Sequence, residues 1–442
     1  MTRLIVTTKG LLAIQMPMLL VGSLAAIIIL IDVFLPFTSA YADVLPAYIL
    51  YLAFFTAVFV IYSVLAVVLE AAYPPSQRLS SLSDACKAGR MATCMTFACF
   101  ISVTSLLALI VDRAVYQDVN FLAQSFVEIR SRLNAEREPG SGISSVYSVF
   151  GNLFQFSYFF SFICLVYYAE VLTRLRCAVY LFFIAFCLLG GSYILGGRTI
   201  IGLFVLTLLA ILVARVVAGR SSVRDLFNVR VLVGLALLLV SFVGIVGYVF
   251  YARASVSGLD SATYLHNFAL HLHGRAISYN ASCEVVWCDM ANYLQLSGIY
   301  VTHVLWVMAE NIADSNSEPE GAPVFGGVLV ILAKVIGPLS DQYEFAGLFN
   351  SLPGSLYYQY GGAGVALGAL LIGSFFAFAV NWLRRRGTVS SLMIFYILFM
   401  VLLVAPVLSA FNIIAFVFVL FALSFVGIIY LAGVSMGKGR QL

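Results

Sequence analysis

The stretch PAYILYLAFFTAVFVIYSVLAVVLE, residues 46–70, has no charged side chain before Glu70 and is long enough to cross a bilayer as one helix. A bilayer core requires about 20 consecutive apolar residues per helix. The whole chain of 442 residues resembles this stretch, since 62% of its residues are hydrophobic and only 10% are charged. That composition excludes a soluble globular domain and predicts a polytopic membrane protein.

Runs of this kind recur along the chain and predict an all-α protein with about ten transmembrane helices. They lie at about residues 11–35, 46–70, 91–111, 147–170, 177–195, 199–217, 231–250, 361–382, 391–410 and 412–432. The first run is long for a signal peptide and lacks a small-residue cleavage site, so we expect it to be retained as a span. Of the 24 Lys and Arg residues, 16 fall in the loops of one side. The positive-inside rule therefore predicts that both termini are cytoplasmic.

The spanning pattern stops between residues 251 and 360, and all four histidines of the chain lie in this region. We therefore predict a seven-span region at 1–250, a large periplasmic loop at 251–360 and a three-span region at 361–442. Within the loop, 297–312 and 322–339 are apolar but short, and the segment between them carries acids without Lys or Arg. Both are predicted to be interfacial or re-entrant helices on the outer face. A smaller outer segment, 112–146, has the spacing of an amphipathic helix lying on the surface.

Three arginines are predicted at the outer face near the fifth, sixth and seventh spans. Arg198 follows two glycine doublets in LLGGSYILGGRTIIGL, residues 188–203, while Arg253 and Arg275 belong to the large loop. A planar guanidinium suits a pair of phosphate oxygens, so the three could converge on one dianion. Each could instead be a solvated, paired or snorkelling charge.

Two further patterns leave structural and functional alternatives open. In NSLPGSLYYQYGGAG, residues 350–364, tyrosines could form a platform for sugars, but tyrosine also populates every membrane interface. Gly364 and Gly368 have the spacing of close helix packing. Cys283 and Cys288 could form a local disulfide in an oxidising compartment or stay as two thiols. No metal site is predicted, because neither the cysteines nor the histidines have the companion ligands that such a site requires.

With these residues in view, the chain resembles the bacterial O-antigen and capsule repeat-unit polymerases of the Wzy type. The resemblance rests on GGRTIIGLFV after a short span, on one large outer loop late in the chain and on the pattern at 350–364. It covers roughly residues 185–375, and the related O-antigen ligases share the layout. Membership implies a metal-independent, cofactor-free membrane glycosyltransferase with a GT-C-like architecture.

The resemblance also implies what the protein does and which residues take part. It implies an inner-membrane enzyme that joins undecaprenyl-pyrophosphate-linked repeat units at the periplasmic face. The implied partners are membrane lipids and a chain-length regulator, and no nucleic acid is expected to bind. Arg198 and Arg275 match family arginines, and the eighth-span pattern is matched by Asn350, Tyr358, Gly361 and Gly364.

The base that accepts the proton of the attacking hydroxyl has no secure match. A carboxylate or histidine can take this proton, and the candidates are Glu344, His303, Asp341, Asp289 and His273, with the first two preferred. The chain contains no D-x-D, which disfavours a metal-dependent sugar-nucleotide enzyme. The alternatives are a ligase that moves finished glycan to lipid A core and a transporter of lipid-linked oligosaccharides.

Overall fold

The computed structural model describes residues 8–35, 43–73, 81–121, 145–195, 199–226, 257–273, 286–313, 324–336 and 350–438, with isolated positions between 228 and 255. Helices account for nearly all of these residues, and no strand occurs among them. The α-helices are α1 Thr8–Phe34, α2 Leu45–Ala72, α3 Ser81–Val111, α4 Val146–Phe154, α5 Tyr158–Tyr167, α6 Arg174–Ile194, α7 Thr199–Val217, α8 Val223–Leu226, α9 Ser261–His273, α10 Val286–Ala313, α11 Gly326–Ile336, α12 Leu352–Arg386, α13 Val389–Val404 and α14 Ile414–Lys438.

Eight helical segments within the described ranges are long and apolar enough to cross a membrane. They are α1, α2, α3, the α4–α5 pair, α6, α7, α12 and α14. The predicted all-helical class is therefore confirmed, and the pattern is that of a multi-pass membrane protein. The predicted span 231–250 lies mostly outside the described residues. The predicted span 391–410 corresponds to the shorter helix α13.

Helices α2 and α12 make the most extensive helix–helix contact among the described residues. The ring of Tyr62 stacks on that of Phe376, with centroids 5.2 Å apart. A Cβ added to Gly373 would lie 3.1 Å from the carbonyl oxygen of Val58, so the two backbones approach closely here. Small residues permit such an approach between membrane helices, where dispersion contacts drive association.

Two predicted spans differ from the structure in their continuity. The predicted span 147–170 is interrupted by a 3₁₀ turn, Gln155–Ser157, between α4 and α5. Helix α13 ends at Val404, before Pro406, because the following chain turns back over the start of α12. There the amide of Leu352 donates to the carbonyl of Ala405 at 3.0 Å. Hydrogen bonds of this kind replace the helical ones that the prediction assumed.

The two predicted interfacial segments both form helices with different bounds. Helix α10 starts earlier than the predicted 297–312, and α11 lies within the predicted 322–339, of which residues 324–336 are described. Helix α10 packs on α1, α2, α9 and α12. A surface helix was predicted within 112–146. The start of this segment, Asp112–Tyr116, is a π-helical turn that continues α3. Residues 122–144 lie outside the described ranges, so the surface helix stays a prediction.

Polar contacts divide between the two ends of the bundle. We call the end with Asp32, Tyr48 and Asn350 the outer end and the end with Glu70 and Arg384 the inner end, after the predicted orientation. Asp32 bonds to Tyr48 between the end of α1 and the start of α2, and Glu70 bonds to Arg384 between the ends of α2 and α12. Helix ends that the prediction places on the same side of the membrane therefore lie next to each other in the structure.

Candidate functional site at the outer end

The structure describes part of the predicted site. The described residues are Arg253, His303, Asn350, Tyr358, Gly361 and Gly364. Those outside the described ranges are Arg198, Arg275, Asp341, Glu344 and Cys283, together with the side chain of Cys288. The convergence of three arginines, the two carboxylate bases and the disulfide therefore stay predictions.

His303 lies on α10 beside a small aromatic cluster that includes Phe250. The ring of His303 lies 6.0 Å from that of Tyr300, which in turn lies 6.2 Å from that of Phe250. Arg253 follows Phe250 by about one helical turn. His303 is only 2% exposed, and its Nδ1 lies 2.9 Å from the carbonyl oxygen of Tyr300. A sugar hydroxyl at the surface cannot reach a buried imidazole directly, so this geometry disfavours His303 as the base.

A buried carboxylate that sequence reasoning missed fixes α10 to the bundle. Asp32 of α1 is fully buried. Its Oδ1 accepts a hydrogen bond from Nε1 of Trp306 at 2.9 Å, and its Oδ2 accepts one from the hydroxyl of Tyr48 at 2.5 Å. Because the two donors belong to α2 and α10, this one buried carboxyl group ties α10 to α1 and α2. An ionisable residue inside a predicted span was the available signal.

The residues at the start of the 350–364 pattern cap a helix. The hydroxyl of Ser351 accepts from the amide of Gly354 at 3.2 Å, which is an N-cap. A Cβ at Gly354 would lie 2.0 Å from Oδ1 of Asn350, so only glycine fits below that side chain. Asn350 is 4% exposed, and its carbonyl accepts from the amide of Ser409 at 3.1 Å. Asn350 and its neighbours therefore shape the start of α12.

The glycines at the end of the pattern bend α12 sharply. Gly361 has φ 64° and ψ −164°, a conformation essentially restricted to glycine. Beyond this bend, a Cβ at Gly368 would lie 2.6 Å from Cδ1 of Leu356. In a straight helix these two positions are about 18 Å apart. Residues 352–360, which we call the fold-back segment, thus pack against the following span and leave Tyr360 52% exposed.

The start of α2 joins these elements into one site. Tyr48 holds Asp32, and one turn later the hydroxyl of Tyr51 donates to the carbonyl of Pro406 at 3.0 Å. The carbonyl of the preceding residue, Ala405, accepts the hydrogen bond from the amide of Leu352. The candidate site, which we call the outer cluster, consists of Asp32, Tyr48, Trp306, His303 and Asn350 with the fold-back segment. His303 and Asn350 therefore stand at the same end of the bundle.

A second polar region lies where the fourth span is interrupted. Gln155 is 3% exposed, and a Cβ at Gly191 would lie 3.6 Å from its Oε1. The Nε2 of Gln155 and the hydroxyls of Ser157 and Ser192 are buried without a hydrogen-bond partner among the described residues. Gly191 belongs to the glycine doublets that precede Arg198 in the sequence. This region was also missed, because one glutamine in an apolar run predicts no break.

Within the described part of the chain, the His, Cys, Asp and Glu side chains form no group of three that could hold a metal ion. No family model, no curated protein and no solved structure matches this chain.

Proposed function

We propose that the protein is a polymerase that joins oligosaccharide repeat units carried on undecaprenyl pyrophosphate. It works at the periplasmic face of a bacterial inner membrane and has a GT-C-like, metal-independent architecture. The observation that carries the proposal is the outer cluster. One end of an apolar bundle holds α10 rigidly through Asp32 and presents the fold-back segment with its tyrosines beside it. The sequence resemblance supports the same activity.

The chemistry requires a base, a cationic site and a sugar-binding surface. In each cycle the acceptor hydroxyl oxygen bonds to the anomeric carbon of the donor, and the bond from that carbon to the pyrophosphate oxygen breaks. Arg198, Arg253 and Arg275 are assigned to the negative charge that develops on the leaving pyrophosphate. Glu344 or Asp341 takes the hydroxyl proton. Tyr358 and Tyr360 offer aromatic faces to the glycan.

The first test supplies purified protein in lipid with undecaprenyl-pyrophosphate-linked repeat units and no nucleotide sugar. We expect a ladder of longer lipid-linked glycans, and a single unextended band would contradict the proposal. Arg198→Ala and Arg275→Ala should each abolish the ladder while the protein still inserts normally. Arg132→Ala, in the other predicted outer segment, serves as the matched control and should leave the ladder unchanged.

A transporter of lipid-linked oligosaccharides is the second candidate. The buried polar groups of Gln155 and Ser157 inside the fourth span, without a partner among the described residues, favour it. Polar groups within membrane spans often mark substrate pathways. Gln155→Leu distinguishes the two functions, because it removes the buried amide but leaves the outer cluster intact. A transporter should lose translocation in this variant, whereas a polymerase should keep its ladder. Transfer of glycan to added lipid A core, without a ladder, would identify a ligase instead.

A further inference from the structure

A lateral groove at the inner end lies between α2, α12 and α13, far from the outer cluster. Its volume is about 610 Å³, and its walls are almost entirely apolar. Its apolar walls include Leu69 of α2, Phe375 and Phe378 of α12, and Leu398 of α13. Two polar residues of α12, Asn381 and Arg385, also line it. The apolar walls of the groove and its place between predicted spans make it suitable for an acyl chain.

The amide of Asn381, a residue of the groove wall, has an unsatisfied donor. Asn381 is only 8% exposed, and its Nδ2 has no hydrogen-bond partner among the described residues. A buried donor without an acceptor is unfavourable in an apolar environment. Apolar acyl chains cannot satisfy it, but an ester carbonyl or phosphate oxygen can.

A positive charge lies one turn further along the same face of α12. The guanidinium of Arg385 lies over the ring of Tyr73, 4.9 Å from its centroid. Arg385 follows Asn381 by four residues, which is about 6 Å along the helix axis. The neighbouring Arg384 donates to both carboxylate oxygens of Glu70. Trp382, 40% exposed at the groove, is the residue type that anchors at the headgroup level.

We propose that this groove binds one anionic glycerophospholipid. An acyl chain lies along Phe375, Phe378 and Leu398, an ester carbonyl accepts from Asn381, and the phosphate group lies near Arg385. The spacing of the amide and the guanidinium along α12 suits the order of carbonyl and phosphate in such a lipid. Charge complementarity favours an anionic headgroup over a zwitterionic one. The site is independent of the proposed polymerase activity.

Quenching of Trp382 fluorescence by brominated lipid tests the site. The chain has three tryptophans, of which Trp306 is buried. Trp287→Phe therefore provides a background in which quenching reports on Trp382. In vesicles with brominated phosphatidylglycerol, we expect apparent binding about fivefold tighter than with brominated phosphatidylcholine, the effect of one basic residue near a membrane surface. Equal quenching by the two lipids would overturn the proposal.

Three variants and one competitor sharpen the result. Arg385→Gln should remove the preference for phosphatidylglycerol, while Arg386→Gln, an exposed arginine that does not line the groove, should keep it. Asn381→Leu should weaken quenching by both lipids. An equal loss in Arg385→Gln and Arg386→Gln would show a nonspecific charge effect and overturn the site. Displacement by undecaprenyl phosphate at lower concentration than by phosphatidylglycerol would overturn the assigned occupant.

Discussion

The inner and outer ends of the bundle are held together by different chemistry. At the inner end, Arg384 donates to Glu70 at 2.7 and 3.1 Å, and Arg215 pairs with Glu170. At the outer end, Asp32 takes its hydrogen bonds from the neutral donors Tyr48 and Trp306. The inner end therefore uses arginine for structure. The outer anchor, which consists of Asp32, Tyr48 and Trp306, uses neutral donors instead.

The largest effect is expected from breaking the inner ion pair. Both side chains are mostly buried, with 12% of Arg384 and 9% of Glu70 exposed. Glu70→Ala leaves a buried guanidinium without its counterion and should lower the free energy of unfolding by about 3–5 kcal/mol. Thermal unfolding in detergent measures the loss. The double variant Glu70→Leu, Arg384→Met should regain most of it, and a wild-type melting temperature in Glu70→Ala would contradict the assignment.

The outer anchor should be next in size. Asp32→Ala leaves the buried indole N–H of Trp306 without its acceptor, which costs about 2 kcal/mol. The glycan ladder should also weaken, because α10 is no longer fixed to α1. Asp32→Asn retains one acceptor oxygen and should lose less stability. If Asp32→Ala unfolded earlier but gave a normal ladder, the link between the anchor and activity would be wrong.

The bend that forms the fold-back segment gives a smaller and more local effect. Gly361→Ala forces a side chain into a conformation that costs about 1–2 kcal/mol. Gly362→Ala is the matched control, since no atom lies within 4 Å of its added Cβ and its backbone is not in the left-handed region. The difference between the two melting temperatures measures the bend. Equal melting of the two variants would show that Gly361 is not constrained.

The smallest effect is expected at the second inner ion pair. Glu170 is 53% exposed, so solvent screens the pair and Glu170→Gln should cost less than about 1 kcal/mol. Partial burial raises the pKa of Glu170, but the hydrogen bond and charge of Arg215 outweigh burial and leave the pKa below its ordinary value. The stabilisation is therefore present at neutral pH and is lost as the pH falls through this lowered pKa. The unfolding free energies of the wild type and of Glu170→Gln should therefore become equal as the pH falls from neutral to below this pKa. A difference that grew in acid would contradict the assignment.

The sequence predicted the helices better than their interruptions. Eight of the ten predicted spans correspond to long apolar helices. The 3₁₀ turn after Phe154 was not predicted, because it is associated with a contact to a helix that is distant in sequence. In this contact the ring of Phe156 stacks on that of Phe418 in α14. The early end of α13 likewise depends on Asn350 and Leu352, which are distant in sequence. For the candidate site, the sequence named His303 and Asn350 but missed Asp32.

The sequence by itself determined that this chain forms apolar helices, and approximately where. Lipid cannot satisfy backbone hydrogen bonds, so each apolar run must satisfy its own as a helix, and local composition is sufficient. Only the tertiary structure decided which polar side chains meet. Trp306 and Asp32 are 274 residues apart, and Tyr51 and Pro406 are 355 apart. Hydropathy cannot select such partners, because membrane helices associate through specific packing and hydrogen bonds rather than through burial of apolar area.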